Sequence, residues 1–448
     1  MVPESSKSKP TVSPARIAAY EILLRIESKG SYASELLHAS EFANLSSADH
    51  ALATDLVMGV LRWRSLLDEK IAQASSQAIA KLDLEVLTAL RLAAYQLRSS
   101  DRIPARAAIH QSVELTKHAR KKSAAPFVNA VLRKIASASP APGLAEDSAE
   151  TLARVYAHPE WLVERWVRTF GIEVARRICA YDQQIPQTTI RLRAPGAEDE
   201  LRAVSIELRQ GEFLRSARRV RVGSAASTAA FREGRVAIQD EASQLVATLV
   251  GRGSRILDCC AAPGGKTAIL AELNPHAEIT AVELHPHRAR LLRRLVRAKN
   301  VRVVCGDATK LPLSGDFDRV LVDVPCSGTG TLAHNPDIKW RLMPEDLADL
   351  RQRQFAILNS AMEQVARGGK LVYSTCSLEA EENAEVVDRA LAVRPAFRLI
   401  DCHEELGTLA DAGEFIGEVS SLTTGPYLRT IPGLHFCEGF FAAILKRS

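Results

Sequence analysis

The sequence reads as a multi-domain protein: an all-α N-terminal domain, a small α+β subdomain, then an α/β Rossmann-like domain on a parallel sheet. Three observations carry that reading. The 448 residues exceed what one ordinary core accommodates. Apolar residues in the first third recur at three- and four-residue steps. From about residue 234, short bounded apolar runs alternate with helical patterns, as a parallel sheet covered on both faces requires.

Residues 1–14 are polar and rich in Ser, Lys and Pro, without the apolar core of a signal peptide, and are expected to be a disordered tail. Residues 15–138 should be helical. Leu52, Leu56, Val60, Trp63, Leu67 and Ile71 mark one amphipathic face, and Leu84, Leu87, Leu90, Ala94 and Leu97 mark a second. A third helix is expected over about 125–136, after the basic run Lys117–Lys122. Pro140, Pro142 and Gly143 make 139–149 a linker. Within 150–233, helical stretches (161–170 and 173–181) give way to a strand-like run at 188–193 and a segment carrying Arg215, Arg218, Arg219 and Arg221. Within 234–448, strands are expected at 255–257, 278–282, 301–304, 319–322 and 370–373.

Composition excludes several classes. No stretch approaches the roughly 20 uninterrupted apolar residues of a membrane span. The eight cysteines have no regular spacing and no Cys-x-x-Cys, and Cys259-Cys260 are adjacent, so neither a disulfide framework nor a metal site is expected. A reducing cytoplasm suits such a chain. Net charge is only +5, but residues 1–140 hold 19 Lys and Arg against 13 Asp and Glu. A basic N-terminal third points to a polyanionic partner.

Two thiols stand in enzyme-like settings. Cys326 follows the buried run Val320-Leu321-Val322 within Asp323-Val324-Pro325-Cys326-Ser327-Gly328-Thr329-Gly330, and Cys376 follows Lys370-Leu371-Val372 within Tyr373-Ser374-Thr375-Cys376-Ser377. Both fall at the carboxyl ends of strands, where α/β sheets bind ligands. A thiol is suited to covalent attack on a soft, electron-poor carbon. Cys179, Cys259, Cys260, Cys305, Cys402 and Cys437 are read as small inert apolar groups, least firmly Cys260.

The run Ile256-Leu257-Asp258-Cys259-Cys260-Ala261-Ala262-Pro263-Gly264-Gly265-Lys266-Thr267 is a strand, a Gly-rich turn and a helix start. A P-loop would need Gly at 260, which is Cys, and Gly-x-Gly-x-x-Gly is absent, so neither a nucleoside triphosphate nor a dinucleotide is indicated. Glu283 at the second strand end can accept from both hydroxyls of a ribose, and Asp307 at the third can accept from an adenine amine. That order of Gly turn, acid and Asp indicates S-adenosylmethionine.

These residues carry a family resemblance. Ala261–Thr267, Asp323–Gly330 with Asn335-Pro336-Asp337-Ile338-Lys339-Trp340, and Ser374-Thr375-Cys376-Ser377 with Glu381-Glu382-Asn383 resemble the motifs of the Nol1/Nop2/Sun family of RNA cytosine-C5 methyltransferases. Gln239–Ser243 is similar to the element leading into that fold, and Glu438-Gly439-Phe440-Phe441 to its closing strand. Asp49–Arg62 and Pro126–Arg133 resemble the NusB-like RNA-binding domain, which marks the branch acting on small-subunit (16S) ribosomal RNA. The resemblance covers nearly the whole chain. It departs at Val324, where Ala or Pro is expected, at Asn335, where His is usual, and at Glu283, where Asp is frequent.

The resemblance implies a class I methyltransferase domain. S-adenosylmethionine would be held by Cys260, Ala261, Ala262, Pro263, Gly264, Gly265, Lys266, Glu283, Arg288, Asp307 and Asp323. It implies that Cys376 attacks C6 of the base, that Cys326 assists breakdown of the adduct, and that Asp323 binds the base near N3 and its exocyclic amine, a role suited to a protonated carboxyl. Lys266 would orient the site or lower a thiol's pKa. Attack by Cys326 is the alternative, because a Pro-Cys pair is the nucleophile of DNA cytosine-C5 methyltransferases. The expected partner is unassembled or partly assembled 16S ribosomal RNA, its phosphates held by the N-terminal domain, by Arg215–Arg221 and by Arg288, Arg290, Arg293, Arg294 and Arg297. A monomer is expected, without membrane or metal. Two other readings stay open: methylation of transfer RNA or another ribosomal position, and a non-catalytic RNA-binding assembly factor.

Overall fold

In the computed structural model, which describes residues 12–42, 44–99, 103–139, 143, 145–313 and 315–448, the apolar stripe from Leu52 to Ile71 lies on one helix, Ser47–Ser75. Ser46 caps it, its hydroxyl accepting from the Asp49 N–H at 3.1 Å. Leu56, Val60, Leu67 and Ile71 are buried. Helix Leu84–Ser99 crosses it closely at Gly59, where a Cβ would fall 1.9 Å from the Tyr95 ring. Helices Pro14–Lys29, Ala105–His118 and Ala125–Ser137 complete the expected helical domain. The expected tail falls mostly outside the described residues, as do Pro140 and Pro142 of the expected linker; Pro14 already opens a helix.

The chain forms two compact units, Met1–Gln184 with Leu332–Arg341, and Ile185–Thr331 with Leu342–Ser448. This division differs from the expected boundaries in two places. The segment 150–233 is split, because helices Ala149–Val155, Glu160–Phe170 and Ile172–Asp182 belong to the helical unit. Leu332–Arg341, with the motif Asn335–Trp340, also belongs there rather than with the sheet. Buried polar bonds account for both. The Arg62 guanidinium donates to the carbonyls of Asp182 (3.2 Å) and Ala333 (2.8 Å), Lys339 Nζ donates to the Arg62 carbonyl at 2.9 Å, and the Trp340 indole donates to Leu61 O at 2.6 Å. Lys339 and Asp182 are about 1% exposed; burial pushes the lysine down and the carboxyl up.

The second unit holds two sheets. The smaller is antiparallel, in the order β2 (Glu207–Gln210), β3 (Ala217–Val222), β1 (Thr189–Leu192), β4 (Val236–Ile238). The larger has β5 (Arg255–Asp258), β6 (Glu278–Glu283), β7 (Val301–Cys305), β8 (Phe317–Asp323), β9 (Val365–Thr375), β10 (Phe397–Ile400), β11 (Thr423–Thr424), β12 (Tyr427–Arg429) and β13 (Phe441–Arg447). Its order is β11-β12-β13-β9-β8-β5-β6-β7, with β10 also on β13. The five strands expected from sequence are parallel to one another; β10 to β13 add an antiparallel flank, so the sheet is mixed. Alternate residues explain the continuous apolar runs. Ile256, Leu321 and Val372 pack on one face with helix Glu241–Val250, while Leu257, Val320, Val322 and Tyr373 pack on the other with helix Asp346–Glu363. The closing strand starts at Phe441, so Glu438–Phe440 form its approach.

Glu241, in the stretch expected to lead into this fold, is fully buried. Its carboxylate accepts the backbone N–H groups of Glu212 (2.9 Å), Phe213 (2.7 Å) and Leu214 (2.8 Å). Glu241→Ala would strand three backbone donors, two of them buried, each buried one costing about 1–3 kcal/mol. Urea denaturation should show a loss of at least about 2 kcal/mol; a loss below about 1 kcal/mol would contradict this role.

Candidate active site

Parallel pairing of β8 and β9 sets Asp323 opposite Ser374, and each strand then releases a cysteine loop at its carboxyl end. The sulfurs of Cys326 and Cys376 lie 3.2 Å apart, both thiols free and half-buried. Gly330 N–H donates to the Cys376 carbonyl at 2.9 Å, and Leu378 N–H to Thr329 Oγ1 at 2.9 Å. The two loops therefore form one hydrogen-bonded layer.

The Gly-rich turn enters from β5. Gly264 has φ +116°, and a Cβ there would fall 2.5 Å from Val296 and 2.7 Å from Leu292, so glycine is required. Helix Gly265–Leu273 follows and projects Lys266, whose Nζ lies 2.7 Å from Asp323 Oδ2. Burial works against the lysine charge, but the Asp323 carboxylate outweighs it and holds the ammonium above its usual range. Ser374 Oγ donates to the other Asp323 oxygen at 2.7 Å. Asp323 is thus an acceptor for a cation and a hydroxyl.

Glu283 and Asp307 stand at the ends of neighbouring β6 and β7, as expected. Glu283 Oε1 accepts the His285 N–H at 2.9 Å. Asp307 Oδ1 accepts the Thr309 N–H (2.9 Å) and hydroxyl (2.8 Å), which hold this carboxyl below its usual range. Both face a cavity of about 240 Å³ also lined by Cys260, Ala262, Arg288, Asp323, Pro325 and Arg353. A second recess, of about 180 Å³, is lined by Asp258, Cys260 to Lys266 and Asp323. Every residue expected to hold the cofactor lines one or both. The thiols line neither; Pro325 and Lys266 do. The acceptor pair at adjacent strand ends, beside a turn of small residues, fits a ribose and an adenine amine.

Other expectations need correction. Cys305 is exposed at the end of β7, not an apolar filler. Arg218 and Arg219 pair with Glu198 (2.7 Å) and Glu212 (3.2 Å), and Arg215 Nε donates to Gly413 O at 2.6 Å, while Arg215 and Arg221 are exposed. Arg288, Arg290, Arg293, Arg294 and Arg297 are exposed, as expected.

One site group escaped the sequence reading. Asp258 ends β5 beneath the turn; its Oδ2 accepts the Thr267 hydroxyl at 2.7 Å, and Oδ1 has no hydrogen-bond partner. Burial pushes it up to about 7 from the ordinary 3.8. An acid ending the buried run Ile256-Leu257 was the available signal. The folded chain binds this proton more tightly than the unfolded one, so the contribution to stability is complete below pH 3.8 and is lost as pH rises through about 7. Asp258→Asn keeps an acceptor for Thr267 and cannot ionise. Its melting temperature should fall less than that of the wild type between about pH 5 and about pH 8; equal falls would contradict the assignment.

Known proteins place these features. Residues 249–446 match the model of the 16S rRNA methyltransferase RsmB/F family, and residues 13–137 that of the NusB family. The probable ribosomal RNA small subunit methyltransferase B of Bacillus subtilis is 36% identical over 398 residues, covering 85% of this chain and 89% of that protein. The protein of the same name from Synechocystis sp. is 32% identical over 455 residues, covering 97% and 99%. The crystal structure of PH0851 superposes with a TM-score of 0.79 at 25% identity, covering 98% of this chain and 100% of that one. No helix among the described residues is long and apolar enough to cross a membrane. With the Gly turn, the strand-end acids and the thiol pair at one sheet edge, and a NusB match earlier in the sequence, the chain belongs to the RsmB/F family of 16S ribosomal RNA methyltransferases.

Proposed function

We propose that this protein transfers a methyl group from S-adenosylmethionine to C5 of a cytosine in 16S ribosomal RNA, through a covalent bond between Cys376 and C6 of the base. The observation that carries the reading is the pair of free thiols 3.2 Å apart beside the Lys266–Asp323 ion pair. The names of the relatives, ribosomal RNA small subunit methyltransferases, support the substrate class, and such RNA is met in the cytoplasm.

C5 of cytosine is too weak a nucleophile to take a methyl group unaided. Addition of the Cys376 thiolate at C6 breaks the aromatic system and makes C5 enamine-like. S-adenosylmethionine, when bound, supplies a sulfonium methyl of high electrophilicity. Glu283 and Asp307 hold its ribose and adenine, and the turn Cys260–Gly265 with Arg288 encloses the rest. Lys266 favours the anionic sulfur through its charge, while Asp323, held by Lys266 and Ser374, accepts from the exocyclic amine of the base. After C5 takes the methyl group its proton passes to a water molecule, the C–H electron pair re-forms the C5–C6 double bond and the C6–S pair leaves with Cys376 as the thiolate; Cys326, in contact with that sulfur, assists this last step. The base must leave any stack to reach both thiol and methyl, so a loop or opened region of the RNA is the target. Phosphates would be held by the NusB-like domain and by Arg290, Arg293, Arg294 and Arg297.

Incubation with S-adenosylmethionine and unmodified 16S ribosomal RNA, followed by nucleoside mass spectrometry, should yield 5-methylcytidine. Methylation at the exocyclic amine, or of transfer RNA alone, would contradict the proposal. If about six phosphates are held, RNA affinity should fall about a hundredfold or more between about 50 and about 200 mM salt. Salt-independent affinity would remove the polyanion argument.

A further inference from the structure

A buried carboxylate stands behind both thiols and has no part in the steps above. Glu382 is fully buried in the short turn Ala380–Glu382 that follows the Cys376 loop. Its Oε1 accepts the Ser327 backbone N–H at 2.8 Å and Gln354 Nε2 at 2.8 Å. Its Oε2 accepts the hydroxyls of Ser327 and Ser377. These four groups occupy both carboxyl oxygens, two of them neutral N–H donors and two of them serine hydroxyls. A buried carboxyl group is costly unless its hydrogen bonds are made, as they are here.

The two serines are the residues directly after the thiols. One carboxylate therefore grips Cys326-Ser327 and Cys376-Ser377 by the same oxygen, with the serine hydroxyls 3.0 Å from each other. Gln354 extends the grip by donating to the Pro325 carbonyl at 3.0 Å. The turn is fixed in its own right: Tyr373 OH donates to Glu382 O at 2.6 Å, and Asn383 Nδ2 donates to Ser377 O at 2.9 Å.

We propose that Glu382 is the positioning residue of the thiol pair, setting the spacing of Cys326 and Cys376 through the hydroxyls of Ser327 and Ser377 and deciding by its charge which of them reacts. Contact with Cys376, then burial, hold the Cys326 thiol above its usual range, and the Glu382 charge adds to this. Lys266 instead shares its field with Cys376. The titratable groups around the pair are Tyr373, Asp323, Lys266, Cys260 and Glu382. Among them Glu382 works against a thiolate at Cys326. The inference rests on the two-thiol reading under Proposed function.

Glu382→Gln tests it. The serine hydroxyls can turn to accept from the new amide, so spacing survives while the charge goes. Alkylation of each cysteine by iodoacetamide, followed by peptide mass spectrometry, uses neither RNA nor cofactor. In the wild type Cys376 should react faster; in E382Q the Cys326 rate at about pH 8 should rise about tenfold and the preference should shrink. On RNA, kcat should fall about a hundredfold with KM within about twofold. Ser377→Ala keeps the charge, cuts one tie and should lower kcat about tenfold; it carries the test should E382Q fail to fold. Unchanged thiol reactivity in folded E382Q, or full kcat in S377A, would overturn the proposal. A wild-type protein that methylates no RNA would reject the reaction instead, and alkylation would still decide the role of Glu382.

Discussion

The parallel pairing of β8 with β9 is the constraint on which the site depends. Once Asp323 is in register with Ser374, two loops must leave adjacent strand ends on the same side of the sheet, and their thiols meet. The pairing holds because Leu321 and Val372 pack into one apolar layer, and Val320, Val322, Leu371 and Tyr373 into the other. A one-residue slip would exchange the two sets and turn Asp323 away from Ser374. The loops themselves depend on glycine: a Cβ on Gly330 would lie 2.2 Å from the Gly439 carbonyl, so that crossing excludes every side chain.

Around this frame three acids converge on the carboxyl edge in different surroundings. Asp323 faces an ammonium and a hydroxyl, Asp307 sits exposed under a backbone donor, and Asp258 lies buried with one oxygen unmatched. Such divergence within one sheet edge is how a fold obtains both an anion and a protonatable acid near neutral pH. Lys266 pairs with Asp323 and shares its field with Asp258 and Cys376, so the turn that encloses a cofactor also presents a cation to the nucleophile loop.

Much of this was legible in the sequence, for identifiable reasons. A buried parallel strand leaves a short run of apolar residues bounded by turns, so Ile256-Leu257 and Val320-Leu321-Val322 announced themselves, and the residues after them fell at ligand-binding ends. Helical periodicity located Ser47–Ser75 and Leu84–Ser99 to within a few residues. What stayed hidden depends on distant partners. Nothing in Asn335–Trp340 says that Lys339 will bury itself against the Arg62 carbonyl, nor that Arg218 will find Glu198. Glu382 was visible as a letter in a motif, but its meaning needs Ser327, 55 positions earlier, brought to its oxygen by the same strand pairing. The partner of Asp323 was hidden for that reason too: its cation, Lys266, comes from another element.

The most direct test of the account is a denaturing gel of the protein mixed with S-adenosylmethionine and unmodified 16S ribosomal RNA, comparing wild type, Cys326→Ala and Cys376→Ala. The account predicts a trapped covalent protein–RNA band with Cys326→Ala, where attack proceeds and release stalls, and none with Cys376→Ala. A band with Cys376→Ala and none with Cys326→Ala would contradict it, making Cys326 the nucleophile.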